Sequence, residues 1–247
     1  MRRRAGLYAI QAAVCLGLLC LTIEPALAGS IVVNPIRLTF SASKTAGALT
    51  IRNTGSEPSV VQLEVMSWSQ QDGEEVLVPT KELLAAPPIF TVPAGGSQLV
   101  RVGLRKPADP RSEVTYRVIM QEVPPPPKPD FQGLQVALRL SVPVFVTPAV
   151  ASAPQIQWSA TRTMQGDLSI GVTNTGNAHI QIVSLRLSVA GSQLSPLQPA
   201  RSEYVLPGQR MGWTLRFNST PAAGTTLHVV ALTDAGERQA DVVVSAP

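Results

Sequence analysis

The sequence predicts an all-β protein made of two immunoglobulin-like β-sandwich domains. Three observations predict it. The 247 residues include 22 prolines and 18 glycines, which suit many strands and turns and not a helical bundle. The apolar residues fall in short runs rich in Val, Ile and Leu, often with period two, and no segment carries a long amphipathic helical pattern. A turn motif and its flanking strands recur once along the chain. With 45% hydrophobic and only 15% charged residues, a packed core is expected throughout.

Residues 1–28 read as a secretory signal peptide. Arg2, Arg3 and Arg4 precede a stretch without charge as far as Glu24, densest in apolar residues over Val14–Ile23. Ala26-Leu27-Ala28 then supplies a cleavage site. A membrane anchor is the competing reading, opposed by Pro25 and the cleavage motif. Both cysteines, Cys15 and Cys20, lie in this segment. Val14 and Leu19 precede them, where lipid attachment would need a small residue. After cleavage the chain would hold no cysteine, and it has only two histidines. Cysteine-rich zinc modules, multi-histidine metal sites and a disulfide framework are therefore excluded. Without Arg2–Arg4 and Glu24 the net charge falls from +4 to +2, which gives no electrostatic case for nucleic acid or an anionic membrane.

Residues 29–147 read as the first sandwich. Its strands are expected at Ile31–Phe40, Ala48–Asn53, Val60–Trp68, Gln98–Leu104, Thr115–Val123 and Leu134–Thr147, with one helical turn at Lys81–Leu84. The run Pro124–Pro127 with Pro129 forms an extended loop before the last strand. Residues 148–247 read as the second sandwich, with strands at Leu168–Thr173, Ile180–Val189, Met211–Phe217, Leu227–Asp234 and Gln239–Val244. The two share Leu49–Asn53-Thr54-Gly55 and Leu168–Asn174-Thr175-Gly176. They also share Val92-Pro93 before a glycine turn and Leu206-Pro207-Gly208. Each half has about the size of an immunoglobulin-like domain.

Enzyme chemistry finds no support. There is no Gly-x-Ser-x-Gly elbow and no phosphate-cradling glycine loop, and no cofactor or metal is implied. His179 follows the Asn174–Asn177 turn and reads as a polar surface residue.

The strand after the proline loop is the most informative segment. Leu134, Val136, Leu138, Leu140, Val142, Val144 and Val146 share one parity and so one face. This aliphatic ridge would run for roughly 40 Å at the strand rise, whereas strands average about five or six residues. Edge strands of that kind recruit other chains.

Along nearly all of residues 29–247 the sequence resembles the PapD-like periplasmic chaperones of chaperone–usher pilus assembly. The resemblance is carried by Ile31–Arg37, Leu49–Gly55, Phe90–Pro93 with Leu99–Val102, Glu113–Val118, Glu122–Pro125, the aliphatic strand and its closing Pro148. The short proline-rich loop and Tyr116-Arg117 are similar to the archaic Csu-type branch. The resemblance implies a periplasmic, non-enzymatic chaperone, its two immunoglobulin-like domains set at an angle with a cleft between them, whose partners are pilus subunits and an outer-membrane usher. It implies a donor strand of Leu134, Val136, Leu138, Leu140 and Val142, lent to the open groove of a subunit. It also implies a grip on the subunit's C-terminal carboxylate by Arg37. The best-known branch has a second basic residue five positions before the closing proline, where this chain has Pro143; Arg117 and Arg139 are the substitutes. The alternative is an exported two-sandwich adhesin or carbohydrate-binding module.

Overall fold

The computed structural model describes residues 31–109, 111–126, 135–197, 203–217 and 219–247. The signal-peptide reading, both cysteines and Leu134 lie outside these residues. The described chain contains strands and turns and no helix.

The first sandwich is built from β1 (Ile31–Asn34), β2 (Leu38–Phe40), β3 (Ala46–Asn53), β4 (Ser59–Gln71), β5 (Glu74–Pro79), β6 (Leu83–Ala86), β7 (Ile89–Val92), β8 (Ser97–Leu104), β9 (Val114–Val123) and β10 (Arg139–Val146). One sheet runs β1-β3-β8-β6 and the other β2-β10-β9-β4-β5, with β7 also on β4. Alternate residues of both sheets, among them Phe40, Leu49, Ile51, Val100, Val118 and Val144, fill the space between them. The second sandwich holds β11 (Ile156–Arg162), β12 (Leu168–Asn174), β13 (Ile180–Val189), β14 (Ser192–Leu197), β15 (Glu203–Val205), β16 (Arg210–Leu215), β17 (Thr226–Thr233) and β18 (Gly236–Ser245). Here β18 runs antiparallel to β17 and, at Ala160 and Thr161, parallel to β11, so one strand joins both layers. Leu168, Ile170, Ile182, Leu187, Leu227 and Val229 form its core.

Three local expectations are corrected. The span Ile31–Phe40 is two strands: β1 pairs with β3 in one sheet and β2 pairs with β10 in the other. Pro35 has no N–H to extend the first ladder, and the chain crosses between sheets at Pro35–Arg37. Lys81–Leu84 forms no helical turn; Leu83 is buried on β6, which pairs with β8. The long strand expected at Leu134–Thr147 is regular only over Arg139–Val146.

The recurring sequence motif is a recurring structural device. Asn53 and Asn174 are both fully buried at the ends of β3 and β12. The Asn53 side-chain amide donates to Glu57 O (2.7 Å) and Val92 O (3.1 Å), while its Oδ1 accepts from Gly55 N (2.9 Å). Asn174 repeats this with Ala178 O (2.7 Å), Val205 O (3.0 Å) and Gly176 N (3.0 Å). The backbone N–H of each then donates to the Gly96 or Gln209 carbonyl in the following turn. Each asparagine thus ties its own turn to a second one and satisfies carbonyls that the ladder leaves over.

Candidate functional site: the cleft and the half-free strand

The two sandwiches meet over Trp68, Phe145 and Leu206, all buried, with Leu77 and Tyr204 packed against them. Phe145 lies on the face of β10 opposite its own core residues Val144 and Val146. One parity of the strand therefore serves the first sandwich and the other the junction. Gln70, buried at the end of β4, clips the halves together. Its amide donates to Tyr204 O (2.7 Å) and its carbonyl accepts from Leu206 N (2.9 Å). His179, expected on the surface, is instead largely covered in this junction. Its ring stacks on Phe145 at 3.5 Å, and its Nδ1 lies 2.7 Å from the buried Glu113 carboxylate. The turn it follows packs on the first sandwich, because Asn177 O accepts from Glu113 N and the Asn177 amide donates to Arg111 O.

Two of the three arginines come together here. Arg117 on β9 is the direct cross-strand partner of Pro143 on β10. A basic group missing from one strand is thus supplied from the next, on the same face. Its guanidinium lies 3.6 Å from the centre of the Trp68 ring and 5.6 Å from that of Tyr204. Its Nε and one terminal nitrogen donate to a single Glu75 oxygen at 3.0 and 2.7 Å. Stacking on the indole fixes the plane of the fork. Arg37, at the sheet crossing between β1 and β2, donates to Asp234 Oδ2 at 3.1 Å. The same oxygen is 3.8 Å from His179 Nε2. Arg139 is not part of this cluster. It is exposed opposite Gln121, four residues from Pro143, or about 13 Å at the strand rise.

A cleft of about 570 Å³ opens beside Arg117, walled by Trp68, Gln70, Glu75, Tyr204 and Trp213 among others. Burial raises the Tyr204 phenol above its ordinary range; Arg117 and Arg37 oppose the rise and Asp234 adds to it. The phenol is therefore a proton donor at neutral pH. None of the three tryptophans is fully exposed. Trp68 is buried in the junction, and Trp158 and Trp213 pack on the second core. No group of three or more His, Cys, Asp or Glu among the described residues could hold a metal ion.

The ridge divides into two parts. Val142, Val144 and Val146 are buried in the core of the first sandwich, so Val142 serves its own domain and is not offered to a partner in this state. Leu138 and Leu140 are partly buried at the rim of that core, beside Ile31, Val61 and Met120. Val136 is 68% exposed. The backbone divides in the same way. Along one side β10 pairs with β9 over its full length, from Arg139 to Val146. Along the other it pairs with β2 only from Val144 to Val146. Among the described residues, Arg139–Pro143 therefore has an unpaired edge. Just before it, Leu138 is held by Glu122, whose N–H donates to Leu138 O at 2.8 Å.

Residues 30–151 match the family of pili and flagellar-assembly chaperones, in its PapD N-terminal domain. This part of the chain belongs to the PapD-like chaperones. An uncharacterized fimbrial chaperone of Escherichia coli K12, YhcA, is 26% identical over 131 residues, or 53% of this chain and 55% of that one. The chain thus spans about half the length of that relative. The two-sandwich PapD-like fold extends over nearly all the described residues. The chain of the CsuC–CsuE chaperone–tip adhesion subunit complex of Acinetobacter baumannii superposes with a TM-score of 0.65 at 21% identity. That match covers 89% of this chain and all of the other. The Salmonella enterica SafA pilin–SafB chaperone complex gives 0.58 at 20% identity, over 87% and 97%.

Sequence reasoning named Arg37 and Arg117 as candidates but not the groups that hold them. Glu75, Asp234, Gln70 and Tyr204 are isolated polar residues on strands or turns, with no local pattern to single them out.

Proposed function

We propose that this chain is a periplasmic chaperone that captures pilus subunits by donor-strand complementation and passes them to an outer-membrane usher. The observation that carries the reading is the division of the last strand. An aliphatic segment with an unpaired edge projects from a half that is locked into its own core. Such an edge can add a strand to an incomplete sandwich, giving backbone hydrogen bonds and alternate apolar side chains. Leu134, Val136 and Leu138 form the offered part, Leu140 the transition, and Val142 the anchor. Arg37 and Arg117 grip the subunit's terminal carboxylate in the cleft. The role is binding and assembly, without catalysis or cofactor. Residues 1–28 serve as the export signal, 29–147 as the donor domain and 148–247 as the second domain. The SafB and CsuC–CsuE complexes, in which a chaperone holds a pilin or a tip subunit, support this reading.

The test compares Val136→Asp with Val142→Asp in the full chain, co-expressed with a pilus subunit encoded beside it. Burial of one valine in the subunit is worth about 1.5–3 kcal/mol, and a buried carboxylate adds a desolvation cost. Val136→Asp is expected to melt like the wild type and lose the subunit. Val142→Asp is expected to unfold the chaperone itself. Full subunit recovery with a folded Val136→Asp variant rejects the donor-strand reading.

A further inference from the structure

The tyrosine between the two arginines has no task in the fold that needs its hydroxyl. Tyr204 is held on several sides by rings. Trp68 meets it edge-on at 5.3 Å, Phe145 is tilted at 5.6 Å and His179 at 5.7 Å. Its backbone carbonyl is already taken by Gln70. Its ring is therefore fixed in place, while its hydroxyl has no hydrogen-bond partner among the described residues. Half-buried phenols ordinarily find one. Arg117 stands 5.6 Å from the ring on one side. On another side His179 leads through Asp234 to Arg37.

We infer that Tyr204 is a third donor to the carboxylate that Arg37 and Arg117 grip, so that the second sandwich takes a direct part in capture. The inference rests on the reading of the cleft as a carboxylate site. A carboxylate offers about four lone-pair positions. Arg117 commits two N–H groups to Glu75 and Arg37 one to Asp234, so part of each fork is already engaged before a carboxylate arrives. A phenol carries no charge. It therefore adds a short bond to an anion without adding repulsion between the cations. Burial keeps it protonated, so it donates at any pH the periplasm reaches. The hydroxyl comes from the second sandwich and both arginines from the first. Carboxylate binding would thus bridge the cleft and reward one relative placement of the halves.

Tyr204→Phe removes the hydroxyl and keeps the ring packing. The full chain is co-expressed with a pilus subunit from the same genome in two forms, one native and one extended by a short glycine tail that moves the carboxylate away. Subunit affinity is then read by competition between wild-type and variant chaperone. Tyr204→Phe is expected to melt like the wild type and to weaken capture of the native subunit about tenfold, which corresponds to about 1.4 kcal/mol. It is expected to change capture of the tailed subunit little. Equal weakening for both forms assigns Tyr204 a packing role and overturns the inference, as does no weakening for either. If the wild type captures neither form, the chaperone reading falls and this inference with it.

Discussion

Asn174→Ala tests whether the repeated asparagine clip supports the sandwich or decorates it. The substitution removes four hydrogen bonds. The side chain donates to Ala178 O and Val205 O, both in buried surroundings, and accepts from Gly176 N and Gln155 N in half-buried ones. The two carbonyls lose their donor where water reaches poorly, and each unsatisfied buried group costs about 1–3 kcal/mol. The two N–H groups lie nearer solvent, so their loss costs less. The sum is about 3–5 kcal/mol, a large part of the 5–15 kcal/mol typical of a domain. Asn53→Ala removes one bond in buried and two in half-buried surroundings and is expected to cost about 2–4 kcal/mol. Urea unfolding followed by tryptophan fluorescence reads both variants. Asn174→Asp, which keeps the acceptors but sets a carboxylate against two carbonyls, should be no better than alanine. A loss below about 1 kcal/mol for Asn174→Ala refutes the reasoning, because water or relaxation would then satisfy those carbonyls.

Arg117→Ala should lower subunit recovery, at a cost of about 2–5 kcal/mol if the pair is desolvated in the complex; unchanged co-purification removes this residue from the grip. Gln70→Ala removes the two bonds that this side chain makes to the backbone of the second sandwich. It should cost about 2–4 kcal/mol and widen the range of inter-domain angles seen by small-angle scattering, whereas a wild-type profile would show that the remaining junction contacts fix the angle without Gln70. Glu82 is held below the ordinary carboxylate range by hydrogen bonds from Lys106 and then Tyr116. Its contribution to stability is thus complete above its unfolded value of 4.5 and lost as pH falls through the lower folded value. Glu82→Gln should therefore flatten the acid limb of the stability curve, and an acid limb identical to the wild type's would deny Glu82 that role.

The sheets were legible because they are written in alternation. Leu49 and Ile51, or Leu168, Ile170 and Val172, declare both a strand and its buried face. The short strands β5, β6 and β7 escaped notice because four to six residues with mixed exposure carry too little period, and β6 and β7 are separated by a proline pair. The repeat was visible as a string, but its purpose was not. Nothing local distinguishes an asparagine that closes a turn in solvent from one that is fully buried and bonded to a second turn 31 or 39 residues on. His179 was misplaced for the same reason: it follows the polar turn Asn174–Asn177, and its cover comes from Phe145 and Glu113 in the other sandwich. Arg117 is the instructive case. Its candidacy came from a gap at Pro143, and only strand register could show that it stands directly across from that gap.

Alternation shows which residues share a face but not what covers it. From Leu134 to Val146 the parity is unbroken, so the sequence presents one continuous ridge. In the fold a second sheet covers that face at Val142, Val144 and Val146, and Val136 lies beyond the cover. Under the proposed donor-strand role, this division would let one strand serve two cores. The covered half is flanked by β9 along its length and by β2 at its end, which holds the strand extended at its root. The segment before it is steadied at Leu138 by Glu122 and presents its edge with part of the ordering already done. Ordering a side chain on binding costs about 0.5–1.5 kcal/mol, so a segment fixed at its root reaches a partner's groove at lower entropic cost than a free peptide. Under the donor-strand proposal the anchored valines would thus serve binding without touching the ligand. Lengthening the covered half would stabilise the chaperone at the expense of positions it can lend.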